Sequence, residues 1–202
     1  AATGWLPQFL CAFDGNSLIA ACPLYLKDHS YGEYVFDCAW ADAYQRHGLA
    51  YYPKLLAAIP FSPIGAPKIL VADEAAREVL ADAALAAARE TSSLHVLFPN
   101  AAERASLERR GMMIRRSVQF HWPNAGYRDF DDFLARFAHD KRKKIKQERR
   151  KVRERGITFQ RKTGHAITAA DWAFFNRCYR TTYREHHSSP YLNLAFFERI
   201  GQ

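Results

Sequence analysis

The stretch KILVADEAAREVLADAALAAARETSSLHVLFPNAAERASLERRGMMIRRSVQFHW, residues 68–122, decides the fold class. Residues 68–71 are a short run that reads as a strand. Asp73 then stands as a helix N-cap, and apolar residues recur at 76, 79, 80, 83, 84 and 87 before Arg89, the one-faced spacing of an amphipathic helix. Residues 94–98 read as a buried-type strand, 101–110 as a helix stopped by Gly111, and 112–122 as a third strand. Strand, helix, strand, helix, strand in succession predicts an α/β fold with a mixed β-sheet flanked by helices.

Upstream, 5–13 and 17–27 are β-compatible runs around Asp14-Gly15-Asn16, the pattern of a hairpin with a tight turn. Residues 28–52 are aromatic and acidic without a clean period. Residues 51–59 read as a short helix stopped by Pro60, and IPFSPIGAP (59–67) as a loop leading to strand 68–71. Downstream, 129–137 begins a helix predicted to run on into a basic segment, where Ala138, Ile145 and Val152 recur every seven residues. One narrow apolar seam among charges suits a helix that lies along a body or projects from it. Gly156 ends that helix, 157–162 read as a strand, Thr168 caps an aromatic helix to about His186, and a last helical start at Leu194 follows Pro190.

With 49% apolar and 14% aromatic residues among 202, the chain has material for a sizeable core, which excludes a wholly disordered protein. Its longest apolar stretch, 18–26, contains Pro23 and falls far short of the roughly 20 residues that cross a bilayer. The chain opens without an initiator Met or a basic leader and closes just after an aromatic helical pattern, so both ends are expected to be cuts in a longer protein. Cys11, Cys22, Cys38 and Cys178 show no C-x-x-C spacing, as expected of a reduced, cytoplasmic chain. The adjacent His186 and His187 would point about 100° apart on a helix and make a poor chelate, so no metal site is expected. The net charge of +8 is concentrated: residues 140–155 hold ten Lys or Arg against three acids, and the rest is nearly neutral.

Three stretches, PLYLKDHSYGEYVFDCAWADAY (23–44) with GLAYYPKL (48–55), QFHWPNAGYRDFDDFL (119–134) and KRKKIKQERRKVRERGI (141–157), together resemble the FemAB-like N-acyltransferases, a bacterial family related to the Gcn5-type acetyltransferase fold. The resemblance implies an acetyltransferase-like first domain over 1–138, a basic connecting helix over 139–155, and in 156–202 the opening of a second, truncated domain. It also implies transfer of an acyl or aminoacyl group to an amine acceptor, with acyl-coenzyme A or aminoacyl-tRNA as donor, tRNA as a candidate partner, and no covalently bound cofactor. Acetyltransferases of this fold hold the coenzyme A pyrophosphate at a helix start through Q/R-x-x-G-x-G/A, which Gln45, Gly48 and Ala50 match. The strand and helix expected to frame such a loop align better with 68–71 and 73–89, whose junction has two acids and no glycine.

Acyl transfer to an amine needs a proton acceptor and donors facing the developing oxyanion. If 33–37 is extended, Glu33, Val35 and Asp37 share one face, and two carboxylates project together as candidate catalytic groups or as a solvated strand face. His29, Tyr31, Tyr34, Trp40 and Asp42 surround them in sequence as candidate substrate contacts. His121, with Trp122 beside it, ends an expected strand, a common position for site residues as well as for hydrogen-bonded structural histidines. Arg184, His186, His187 and Tyr191 are candidates for the junction of two domains. In the basic segment, Lys143, Lys144, Arg150 and Lys151 suit phosphate contacts, and a solvated connector looks the same. Two functions therefore stay open: an N-acyltransferase, or a degenerate acyltransferase fold that binds RNA or an anionic membrane through its basic helix.

Overall fold

A computed structural model describes residues 4–201, in two compact units, Ala1–Arg116 and Ser117–Gln202. The first unit holds β1 (Leu6–Pro7), β2 (Leu10–Asp14), β3 (Ser17–Cys22), β4 (Leu24–Lys27), α1 (Cys38–Arg46), β5 (Lys54–Ala57), β6 (Leu70–Val71), α2 (Glu74–Ala87), β7 (Leu94–Val96) and α3 (Ala101–Arg109). The second holds α4 (Phe130–Ala135), α5 (His139–Glu154), α6 (Ala169–Glu185) and α7 (Leu194–Ile200). The class is the expected mixed α/β.

The two N-terminal runs split between two sheets. β2 and β3 form the hairpin read from Asp14-Gly15-Asn16, with Gly15 at φ +57°, and β6 adds to it antiparallel. Pro23 has no N–H for a ladder, and there the chain crosses to the second sheet, of order β1-β4-β5-β7. In that sheet β4 lies antiparallel to β1 and β5, and β5 lies parallel to β7. Asp73 caps α2 by accepting the Ala76 N–H at 2.8 Å, and α2 buries Ala76, Leu80, Ala81 and Ala84 against Ala20, Cys22, Leu24 and Leu107. Val79, expected on that face, is exposed. A second cluster of Trp5, Leu56, Ala58 and Leu97 packs with Tyr25 and Phe61.

Several local expectations change. Residues 51–59 contain β5 rather than a helix. Its four residues are all buried in the interior of the sheet, and a continuous apolar run does not distinguish the two states by period. Residues 112–122 and 157–162 form no strand: alternation alone does not make one without a partner ladder, and these segments are exposed, Phe120 at 98% and Phe159 at 85%. The two compact units divide between 116 and 117, and the basic helix lies within the second. Asp129 starts α4, not one long helix. Ala138, at ψ 149°, breaks the chain between α4 and α5. α5 buries no residue, and only Arg142, Ile145 and Val152 are half-buried, which bears out the seam at 145 and 152. Thr168 and Asp171 form a capping box on α6, whose Trp172, Phe175 and Tyr179 pack on Phe197 of α7.

Candidate active site

β4 and β5 pair so that Lys27 stands directly opposite Lys54, and both side chains are fully buried. Two like charges opposite each other in a sheet repel, so this end of the sheet is stable only with anions beside it. The segment after β4 supplies them. Gly32 at φ +80° and Tyr34 at φ +57° turn the chain sharply on either side of Glu33, whose carboxylate enters the core at 1% exposure. Gly32 lies so close to Phe61 that a Cβ there would sit 2.5 Å from the ring. Three residues past Tyr34, Asp37 enters the same space at 2% exposure.

Both carboxylates converge on one ammonium. Lys54 Nζ donates to Asp37 Oδ2 at 2.6 Å, Glu33 Oε2 at 2.8 Å and Ser30 Oγ at 2.8 Å, which uses its three N–H groups. Asp37 Oδ2 also accepts from Tyr51 Oη at 2.8 Å and Ser30 Oγ at 3.0 Å, and Ser30 Oγ lies 2.8 Å from Tyr52 Oη. Lys27 Nζ donates to the Tyr31 carbonyl at 3.0 Å and sits 4.2 Å from the Trp5 ring centroid. Two lysines and two carboxylates thus balance in formal charge. Glu33 Oε1 and Asp37 Oδ1 are buried without a hydrogen-bond partner.

The two acids differ in proton affinity. Burial pushes Glu33 up against the opposing pull of Lys54. Burial acts in the same sense on Asp37, but hydrogen bonds from Lys54, Tyr51 and Ser30 outweigh it and hold Asp37 below the ordinary carboxylate value. Burial and the bond to Asp37 push Tyr51 up. Burial, then the Lys54 charge, lowers His95 of β7 to about 4, so its ring is neutral beside Tyr51 and accepts or donates at 2.9 Å to Ser93 Oγ. Burial lowers Lys27 to about 8. The hydroxyls of Tyr52 and Ser30 form a hydrogen-bonded path from a half-buried side chain to the Asp37 carboxylate, along which a proton can pass.

The structure therefore brings Glu33 and Asp37 together, by two left-handed turns and not by strand alternation. They are not a solvated face, whereas Phe36 between them is 85% exposed. His29 is half-buried, accepts the Tyr31 N–H at Nδ1 at 3.1 Å, and is held below its ordinary value by burial first and the Lys27 charge next. Tyr31, Tyr34, Trp40 and Asp42 are exposed on the same unit. Sequence reading missed Lys27, Ser30, Lys54, Tyr51, Tyr52 and His95. The available signal was a single lysine in each of two apolar runs, LYLK (24–27) and KLLA (54–57).

Gln45, Gly48 and Ala50 lie at the carboxyl end of α1, where the N–H groups of His47, Gly48 and Leu49 bond back to helix carbonyls. That end carries partial negative charge, the reverse of a phosphate cradle. At the alternative junction before α2, Asp73 takes the Ala76 N–H and Glu74 occupies the first turn, so two acids stand at that helix start. His121 and Trp122 belong to the second unit, on an exposed segment without strand structure, with Trp122 stacked on Tyr127 at 6.2 Å. His186 is the C-cap of α6, and Tyr191 meets Tyr183 edge-on at 5.7 Å. Lys143, Lys144, Arg150 and Lys151 are all exposed on α5, with Arg150 3.5 Å from Glu154. Among the described residues no group of His, Cys, Asp and Glu is placed to hold a metal, and no helix is long and apolar enough to cross a membrane.

A family model matches all of residues 1–202: FemAB-like, described as peptidoglycan biosynthesis and recognition. Comparison with curated proteins and with solved structures gives no match.

Proposed function

Because the chain belongs to the FemAB-like family, we propose that it is an N-acyltransferase that moves an acyl or aminoacyl group onto an amine acceptor. The whole-chain family match carries this reading, and the Lys54 network offers a proton acceptor for it. In the reaction, the acceptor amine attacks the acyl carbonyl, a C–N bond forms, and the bond to the donor oxygen or sulfur breaks. The proton lost by the amine ends on the departing group. Asp37, kept ionised, accepts that proton through the Ser30 and Tyr52 hydroxyls and returns it, while Lys54 holds the carboxylate in place. Lys54 thus acts as a positioning residue, since its three donors are already engaged.

Aminoacyl-tRNA is favoured over acyl-coenzyme A as the donor. Of the two segments suited by sequence to a coenzyme A pyrophosphate, one lies at the carboxyl end of α1 and the other carries the acids Asp73 and Glu74, whereas α5 exposes a dense set of cations. Coenzyme A at millimolar concentration is expected to leave the thermal unfolding of the protein unchanged, because only ligands that bind the native state raise it. A clear upward shift would transfer the assignment to acyl-coenzyme A. One observation favours a second reading: Glu33 and Asp37 are almost fully sealed from solvent. In that reading the fold is degenerate and α5 is the working part, binding RNA or an anionic membrane; substitution at Asp37 then leaves function intact.

A further inference from the structure

We propose that a groove along the carboxyl half of α6 binds a small ligand carrying a chain of two or three phosphates. The groove has a volume of about 640 Å³ and is lined by Arg177, Arg180, Thr181, Arg184, His187 and Ser188, with Pro190 at its edge. It is open to solvent, with Arg177, Arg180, Arg184, His187 and Ser188 all exposed. No carboxylate lines it.

Two local rules are broken in this one groove. Arg177 and Arg180 are three residues apart on the helix, and Arg180 and Arg184 four, spacings at which like charges repel. Where α2 meets α3 the chain pairs its arginines, Arg109 and Arg110 with Glu78 and Arg110 also with Asp82, whereas α5 carries like charges at these same spacings. Among the described residues Arg177, Arg180 and Arg184 have no ion-pair partner; Arg177 only lies 5.5 Å from the Phe174 ring. They have no part in packing α6, which uses Trp172, Phe175 and Tyr179 against Phe197.

The second broken rule is at the helix end. The His187 N–H bonds to the Arg184 carbonyl at 3.1 Å and the Ser188 N–H to the Tyr183 carbonyl at 2.9 Å, which closes α6 with a Schellman turn. Its left-handed position, ordinarily glycine, is His187 at φ +51°. An imidazole held there against its backbone preference stands at the mouth of the arginine groove with the Thr181 and Ser188 hydroxyls. Unfavourable local choices that coincide at one place mark a working site.

The chemistry of the lining selects the ligand. Planar guanidinium forks match phosphate oxygens two at a time, and hydroxyls and an imidazole complete the donor set. The helix end contributes about half a negative charge, which three guanidiniums exceed. Arg177 and Arg184 are separated by about 10 Å along the axis, a span that suits linked phosphates better than a single one.

The test is calorimetric titration of the 202-residue protein at fixed physiological salt, with inorganic tripolyphosphate as probe and then a nucleoside triphosphate. Saturable single-site binding is expected, weakened at least tenfold in R180Q/R184Q and less than that in the α5 variant K143Q/K144Q/R150Q/K151Q. His187→Gly is expected to raise the melting temperature, because glycine relieves the left-handed backbone, and to weaken binding, a combination that a purely structural histidine would not give. Equal affinity for the two probes assigns recognition to the phosphate chain, and tighter nucleotide binding assigns it to a nucleotide. The proposal is overturned by no saturable binding at millimolar probe, by unchanged affinity in R180Q/R184Q or H187G, or by loss of binding in the α5 variant alone.

Discussion

Replacing Lys54 by Met tests the network at its centre. The ammonium makes three hydrogen bonds of 2.6 to 2.8 Å, and its loss leaves two carboxylates in the core beside oxygens that already lack partners. Removing one partner of a buried ion pair destabilises by about 3–5 kcal/mol, a large share of the about 5–15 kcal/mol that holds a domain together. The loss depends on pH with a definite sign. In the wild type Asp37 titrates below its ordinary value, so its contribution is present above the unfolded pKa and disappears as pH falls through the folded one. Without Lys54, Glu33 loses the hydrogen bond that opposes burial and titrates further above its unfolded value, so the variant loses stability as pH rises. Urea unfolding followed by circular dichroism is therefore expected to show the largest deficit near neutral pH and a smaller one near pH 4. Neutralising the carboxylates as well, in E33Q/D37N/K54M, is expected to recover most of the loss. A deficit under about 1 kcal/mol at neutral pH, or one that does not shrink with acid, would refute the reasoning.

Lys27 is lowered from 10.5 to about 8, so the folded state is penalised for carrying its proton below that value and stability is expected to rise between about pH 8 and 10. Lys27→Met is expected to flatten that rise in denaturant titrations. Gly32→Ala places a Cβ 2.5 Å from the Phe61 ring at φ +80° and is expected to destabilise by roughly 1–3 kcal/mol, read as a lower melting temperature. In K143Q/K144Q/R150Q/K151Q, tRNA affinity is expected to lose salt dependence by about 0.9 in log–log slope per lost phosphate contact, with circular dichroism unchanged because these side chains are exposed.

Where a signal is local, the sequence was readable. The Asp73 cap, the Asp14-Gly15-Asn16 turn and the Thr168 cap are each decided within four residues, and each is where it was expected. Strand identity is decided by partners distant in sequence. β5 therefore looked helical, and 112–122 and 157–162 looked like strands although no β-ladder among the described residues includes them. The candidate site shows the same limit. Glu33 and Asp37 were visible as a pair, but the cation that gathers them lies 17 to 21 residues away. A lysine beside three apolar residues ordinarily marks the wet end of a strand. Here the cross-strand register puts Lys27 and Lys54 in the core, and only the fold shows it.

The central claim is that this chain transfers an acyl group to an amine with Asp37 as the proton acceptor. Its most direct test is mass spectrometry of an amine-bearing peptide acceptor incubated with the protein and a mixed pool of aminoacyl-tRNAs, and in parallel with acetyl-coenzyme A. The account predicts one aminoacyl mass added to the acceptor by the wild type from the tRNA pool, none from acetyl-coenzyme A, and none by a folded Asp37→Asn variant. Transfer undiminished in Asp37→Asn would contradict it, as would a folded wild-type protein that leaves the acceptor unmodified with both donors.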